Sequence, residues 1–495
     1  MLKGLLSFKN PYRTLHFTWF AFFLTFVCWF NFAPFASVIG KELNLEEAQI
    51  KTLLICNLAI TIPARIIIGA LLDKYGPRIT YSALLVFAIV PCIATAVAQD
   101  FNQMVIARLL MGIVGSGFVL GIRMVSEWFP PKDIGSAQGI YGGWGNFGAF
   151  GAEFALPLIA MGTAFMTGGT ANWRLTIVLT GVVTAIYGVI YYNNVTDTPP
   201  GKEYKRPKKY GAMEVTSARD FYGLLIMNFG LVFALGLLAW RLAQKKLHFL
   251  GAGQMYFIWF LLAALYAYQS YQAWLVNRDV VIGSKQFAPA ERYEFSQVAL
   301  LQFTYITNFG SELAAISMLP VFFEKTFGLP HTAAAMIAAT YPFLNLFSRP
   351  SGGFISDKFG SRKWTMTIVT ALIGVGYLLV YKIDGTWQLP VAVAVTMFAA
   401  LFAQAGCGGT FAIVPLIKKE ITGQVAGNVG AYGNFGGVVY LTIFSLSDAP
   451  TLFATMGIGA LVCASFCAFF LKEPQNSFGL DGDTEARSMP ISGRV

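Results

Sequence analysis

Long apolar runs, each closed by a few polar or turn-forming residues, follow one another along almost the whole chain. Runs of spanning length fall at about 17–40, 50–72, 79–98, 103–123, 136–161 and 173–193. A second set falls at about 296–323, 331–356, 364–382, 389–415, 425–447 and 450–471. A bilayer-crossing helix takes about 20 residues, so each run predicts one transmembrane helix. Between the sets, a basic stretch (Lys202, Lys205, Arg206, Lys208, Lys209) precedes two further apolar runs at about 220–240 and 252–275. The pattern predicts an all-α integral membrane protein with an N-terminal six-helix half (1–195) and a basic linker carrying two extra spans (196–295). A C-terminal six-helix half (296–472) and a cytoplasmic tail (473–495) complete it. The first seventeen residues have no small-residue cleavage site, so the first run is expected to be retained as a helix.

Composition narrows the class. Of 495 residues, 56% are hydrophobic and 12% charged, where a soluble protein carries roughly a quarter charged. A soluble enzyme, a secreted domain and a disordered partner are excluded. The net charge of +10 would suggest nucleic acid in a soluble protein. Here the Lys and Arg residues are about three times as frequent in the loops that share a side with the N-terminus, as the positive-inside rule requires of cytoplasmic termini. Nucleic acid is therefore not expected as a partner, and the lipid bilayer is. The six cysteines lie in apolar runs without metal-ligand spacing, so no metal, cofactor or disulfide is expected. No nucleophile and base pair accompanies the spans, which argues against an enzyme, and no phosphate-binding G-x-x-x-x-G-K-[ST] loop is present, which argues against ATP as the driver.

An internal repeat organises the rest. Gly69-Ala-Leu-Leu-Asp73-Lys74-Tyr75-Gly76-Pro77-Arg78 follows the second span, and Gly353-Phe-Ile-Ser-Asp357-Lys358-Phe359-Gly360-Ser361-Arg362 follows the second span of the second set. Arg65 and Arg349 precede the two aspartates by the same eight residues. This loop motif resembles that of the major facilitator superfamily, which implies two six-helix halves in parallel repeat.

An arginine near the bilayer centre costs at least a few kcal/mol and normally faces a polar cavity or a partner. Neither Arg65 nor Arg349 has a carboxylate three or four residues away. They are expected either to form ion pairs across helices or to clamp an anion between the halves, where a planar guanidinium can donate two parallel hydrogen bonds. The fifth spans of the two sets carry glycines every three residues, Gly139, Gly142, Gly145, Gly148 against Gly427, Gly430, Gly433, Gly436, with Asn146 and Asn434 at matching places. Steps of three fall about 60° short of a full turn, so the row winds around the helix.

G-G-W-G-N-F-G at 142–148 and A-Y-G-N-F-G-G at 431–437 resemble the paired signatures of the nitrate/nitrite porter family. The resemblance implies a secondary active transporter of nitrate and nitrite in the cell membrane, working as a monomer. It makes Arg65 and Arg349 the substrate arginines, Asn146 and Asn434 the signature asparagines, and Gly142, Gly145, Gly148, Gly433 and Gly436 signature glycines. Tyr305, Phe309, Phe32 and Phe118 match its pocket aromatics. Arg108 resembles the superfamily's fourth-helix arginine, which suggests a structural role. Glu312 and Glu153 are the carboxylates well inside spans, so they are the candidates for proton coupling, each with the alternative of neutralising an arginine. Proton-coupled uptake is the expectation. Nitrate/nitrite exchange, carriage of another small anion, and a nitrate-binding sensor are the alternatives.

Overall fold

In the computed structural model, residues 5–130, 133–204, 206, 212–247, 249–288 and 291–474 are described. Lys205, Lys208 and Lys209 of the basic stretch, and residues 475–495 of the expected tail, lie outside them. No strand occurs among the described residues.

The helices follow the apolar runs: α1 (Tyr12–Glu42), α2 (Glu47–Tyr75), α3 (Pro77–Val97) and α4 (Phe101–Trp128), then α5 (Ile134–Asn146, continuing as Gly148–Gly162) and α6 (Trp173–Asn194). After α7 (Ala218–Leu242) and α8 (Ala252–Val281) comes the second set. It comprises α9 (Phe295–Phe327), α10 (His331–Ala338, Thr340–Phe343 and Asn345–Lys358), α11 (Arg362–Val380), α12 (Leu389–Ile417), α13 (Thr422–Leu446) and α14 (Ala449–Phe470). Among the described residues eleven helices are long and apolar enough to cross a membrane, α5, α8 and α10 not being among them. Side chains of Asp100, Asn172, Ser217, Ser361 and Asp448 cap the first turns of α4, α6, α7, α11 and α14, meeting backbone N–H groups that the helix itself leaves unpaired.

Several helices break where the apolar pattern predicts none. In α2 the break at Ile60 follows from competition for one carbonyl: Asn57 O accepts from the Trp29 indole at 3.1 Å and from the Thr61 hydroxyl at 3.2 Å. In α4 the break falls at Gly115–Ser116, where the Val119 N–H donates to Ser116 O at 3.1 Å and leaves Gly115 O to a side chain. In α9 the turn Ile306–Gly310 is π-helical, a wide turn that often marks a functional site.

The two halves meet along α2 against α13 and α5 against α10, and glycine allows it. A methyl on Gly69 would stand 2.7 Å from Gly423 O, one on Gly427 2.7 Å from Arg65 O, and one on Gly139 2.8 Å from Arg349 O. The D-K loops close this end of the molecule: Asp73 accepts from Gln424 N at 3.1 Å, and Asp357 from Ser136 N at 2.8 Å. At the opposite end Lys325 of α9 pairs with Glu47 of α2 at 3.3 Å. The halves therefore touch at both ends, and Arg65 and Arg349 between them are buried.

The two extra runs form an antiparallel helical pair. Tyr266 of α8 donates to Leu225 O of α7 at 3.1 Å, and Trp259 to Gly236 O at 3.0 Å. The pair is anchored through α7, where Met227 O accepts from Tyr432 of α13 at 2.5 Å and Asp220 accepts from Phe295 N of α9 at 3.0 Å.

Candidate functional site

Arg65 and Arg349 are fully buried, at 0% and 1% exposure, and both guanidiniums lie close to one aromatic ring. The Phe309 ring centroid lies 5.1 Å from the Arg65 guanidinium carbon and 5.2 Å from that of Arg349. The π-helical turn carries Phe309 into this position. Tyr305 stacks on Phe309 at 5.0 Å and on Phe118 at 6.3 Å, and Phe118 also lies 5.6 Å from Arg65. Five of the residues singled out from sequence, Arg65, Arg349, Tyr305, Phe309 and Phe118, are thus brought into one cluster.

The two arginines are held differently. Arg65 is held by carbonyls: Nε and Nη2 donate to Gly115 O at 3.3 and 3.2 Å, and Nη1 to Gly430 O at 2.6 Å. Trp29 adds its ring, 5.9 Å away. No ion pair of Arg65 occurs among the described residues. Arg349 donates to Glu312 at 2.7 Å and to Asn345 Oδ1 at 2.8 Å. Glu312 accepts from Asn345 Nδ2 at 2.7 Å as well, with the Cys407 thiol 3.7 Å away. Of the two roles expected for Glu312, this geometry realises the ion pair. With Glu312 ionised, two guanidinium charges and one carboxylate leave the cluster a single positive charge, and it has planar donors and aromatic walls. That combination suits a small monovalent anion with oxygen acceptors.

The glycine rows give the arginines room. Gly430 of α13 faces Arg65 of the other half, where an added methyl would lie 3.3 Å from its Nη1, and Gly142 of α5 faces Arg349, at 3.7 Å. Gly433 and Gly436 turn instead to Tyr305, Phe309 and Ile306 of their own half, and Gly145 and Gly148 to Phe22, Phe23 and Phe26. The row winds as its spacing predicts.

Asn146 and Asn434 are buried, yet each donates to its own helix, to Gly142 O at 2.7 Å and Gly430 O at 3.3 Å. Both Oδ1 atoms lack a partner among the described residues. Gly430 O thus accepts from both Asn434 and Arg65. Phe32 is placed elsewhere: its ring covers Arg108 at 5.2 Å. Glu153 sits seven residues past Asn146, about 10 Å along the helix, with Oε2 unpartnered.

Sequence reasoning passed over Trp29, Asn345, Cys407 and Phe411. Phe411 contacts Phe118 at 4.5 Å and Tyr305 at 5.0 Å. A signal for it existed: Gly408-Gly-Thr-Phe411 repeats the spacing of Gly115-Ser-Gly-Phe118 in the other half.

Comparison with known proteins agrees with this architecture. The chain matches the Major Facilitator Superfamily over residues 18–289 and 299–490. It is 72% identical, over 100% of its length and 99% of the relative's, to the nitrate/nitrite transporter NrtP of Nostoc punctiforme. It is 52% identical to that of a Picosynechococcus species, over 99% of this chain and 98% of the relative. The high affinity nitrate transporter 2.7 of Arabidopsis thaliana is 27% identical, over 89% and 80%. Among solved structures, the proton:xylose symporter XylE shares the fold with a TM-score of 0.59 at 14% identity, over 93% of this chain and 95% of that one. The human organic anion transporter MFSD10 shares it at 0.57 and 12%, over 93% and 100%. The chain is a multi-pass membrane protein that belongs to the major facilitator superfamily, in the branch of these nitrate/nitrite transporters.

Proposed function

We propose that the chain carries nitrate and nitrite across the cell membrane by alternating access, binding the anion between Arg65 and Arg349. The observation that supports this best is the pair of fully buried guanidiniums, one from each half, about 5 Å from the same Phe309 ring. Nitrate is planar and singly charged, so the arginine forks address its oxygens while aromatic rings cover its faces. Closure at both ends fits an occluded state, from which either end opens when the halves rock. The basic bias of the loops orients both termini to the cytoplasm, with α7 and α8 crossing as a pair, although α8 alone falls short of the apolarity of an independent span, and the monomer as the working unit.

Transport is proton-coupled in this reading. Nitrate competes with Glu312 for the Arg349 fork. A Glu312 that loses its counter-charge inside the membrane regains neutrality by taking a proton, so anion and proton load together. Uptake against an inside-negative potential costs about 2.3 kcal/mol per charge per 100 mV, and two protons per nitrate reverse the sign of the moved charge. Glu153, unpartnered in the outer half of α5, is the second candidate carrier. Nitrate/nitrite exchange is the second reading. It is favoured by Arg65, whose charge no carboxylate offsets among the described residues, so that the site changes sides more easily with an anion bound.

Uptake of labelled nitrate into proteoliposomes tests both. Accumulation under an imposed proton gradient with no internal anion supports symport. Uptake that requires internal nitrite and ignores the gradient supports exchange, and no uptake under either condition overturns carriage of nitrate.

A further inference from the structure

Arg108 is 1% exposed and forms no ion pair among the described residues. Its Nη1 donates to Asn31 Oδ1 at 3.1 Å and its Nη2 to Trp29 O at 3.0 Å, while Nε has no partner among the described residues. Those two bonds go to the break inside α1, whose regular helix ends at Phe30 before a 3-10 turn at Ala33–Phe35, which accounts for a cation at this place but not for a donor left over inside a membrane span. Phe32 covers the guanidinium at 5.2 Å.

Arg108 also lines a cavity of about 10 Å³ together with Phe32, Asn57 and Ser317, room for about one water. Three walls come from α1, α2 and α4 of one half, and Ser317 comes from α9 of the other. The cavity therefore lies at the seam that widens when the halves part. It stands away from the D-K loops: Arg108 precedes Gly115, the level of Arg65, by seven residues, about 10 Å along α4. Trp29 separates the two levels. Its indole lies against Arg65 and its carbonyl accepts from Arg108.

We infer that Arg108 and Phe32 form a second, outer binding place for a small monovalent anion, one step from the central pair, with Trp29 as the partition between them. The chemistry shares with the centre a buried guanidinium under an aromatic cover, and here Nε is spare and no carboxylate pairs with the charge among the described residues. In the closed state the walls leave space for a water, and parting at Ser317 makes room for the anion. The proposal rests on the carrier reading above in one respect, that the halves part to admit the anion.

The test uses Ser317→Cys in the full chain in proteoliposomes. All six native cysteines are buried. The introduced thiol is labelled from outside with a sulfonate-bearing and with a trimethylammonium-bearing methanethiosulfonate. The anionic reagent is expected to react about tenfold faster than the cationic one, through local attraction by the guanidinium, and Arg108→Gln is expected to remove that preference. Sodium nitrate should slow labelling relative to sodium gluconate. It should still do so when Arg65→Lys disables the central site, which separates failure of this place from failure of the carrier reading. The protection measurement leaves Arg108 in place, so it stands even if Arg108→Gln does not fold. Absence of labelling, equal rates for the two reagents, a preference that survives Arg108→Gln, or labelling indifferent to nitrate in the Arg65→Lys background would each overturn the proposal.

Discussion

The two halves repeat one another in loop motif, arginine and glycine row, yet they hold their arginines by opposite means. In the C-terminal half Arg349 is neutralised by Glu312 at 2.7 Å. In the N-terminal half Arg65 is held by the carbonyls of Gly115 and Gly430 and keeps its charge. The contacts of the glycine rows set the correspondence: Gly436 meets Ile306 O where Gly148 meets Phe23 O. On that register Trp29 occupies the place of Glu312. A tryptophan in one half and a glutamate in the other convert a symmetric pair of cations into one free charge and one ion pair. The lesson is that a duplicated scaffold can be tuned to a singly charged ligand by breaking its symmetry at one position per half.

The largest expected effect comes from removing the planar fork on either side. Arg65→Lys and Arg349→Lys keep the charge but lose parallel donation, and each should lower nitrate uptake by more than about 100-fold, the worth of two charged hydrogen bonds. Uptake by purified variants in proteoliposomes checks this. Near-normal transport by either one would end the two-arginine reading.

Neutral replacements should separate the halves by stability. Arg349→Gln strands the Glu312 carboxylate and should cost about 3–5 kcal/mol, as breaking a buried pair does. The double variant Arg349→Gln with Glu312→Gln should recover most of that. Arg65→Gln removes an uncompensated cation and should leave the thermal midpoint unchanged or raised. Equal losses in the two single variants, read by thermal unfolding in detergent, would erase the distinction.

Glu312→Gln tests what the ion pair is for. One coupled proton is worth about tenfold accumulation per pH unit, so gradient-driven uptake should fall by about that factor or more, and nitrate/nitrite counterflow by less. Equal loss of both activities would make Glu312 structural.

Much of this fold lay open in the sequence, because spans, repeat and loop motifs depend on residue type and spacing along one chain. Arg65, Arg349 and the winding glycine row were legible for the same reason. The partner of Arg349 was not, because Glu312 lies 37 residues away on another helix and no spacing rule connects two packed helices. Nor was the place of Phe32, since one of many phenylalanines carries no mark of the cation it covers. The breaks in α2 and α4 were hidden too. They arise from bonds between helices, as when Thr61 donates to Gly112 O at 2.5 Å, and a break in α4 is what frees Gly115 O for Arg65.

The smallest expected effect falls on the asparagines, and there the halves should differ again. Asn146 donates to Gly142 O alone, whereas Asn434 shares Gly430 O with Arg65. Removing Asn146 by alanine leaves one carbonyl with its helix bond only, a local change. Removing Asn434 leaves Arg65 as the one side chain on Gly430 O, which tightens that guanidinium onto the backbone and makes it harder to turn toward an anion. Asn434→Ala should therefore raise the half-saturation constant for nitrate by about two- to fivefold, in line with a neutral hydrogen bond worth about 1 kcal/mol or less. Asn146→Ala should raise it by less, with membrane protein levels near normal in both. Uptake kinetics measured beside expression decide the matter. A fall in expression with an unchanged constant would assign both residues to packing, and a larger shift for Asn146→Ala would mean that Arg65 is not the arginine that must move.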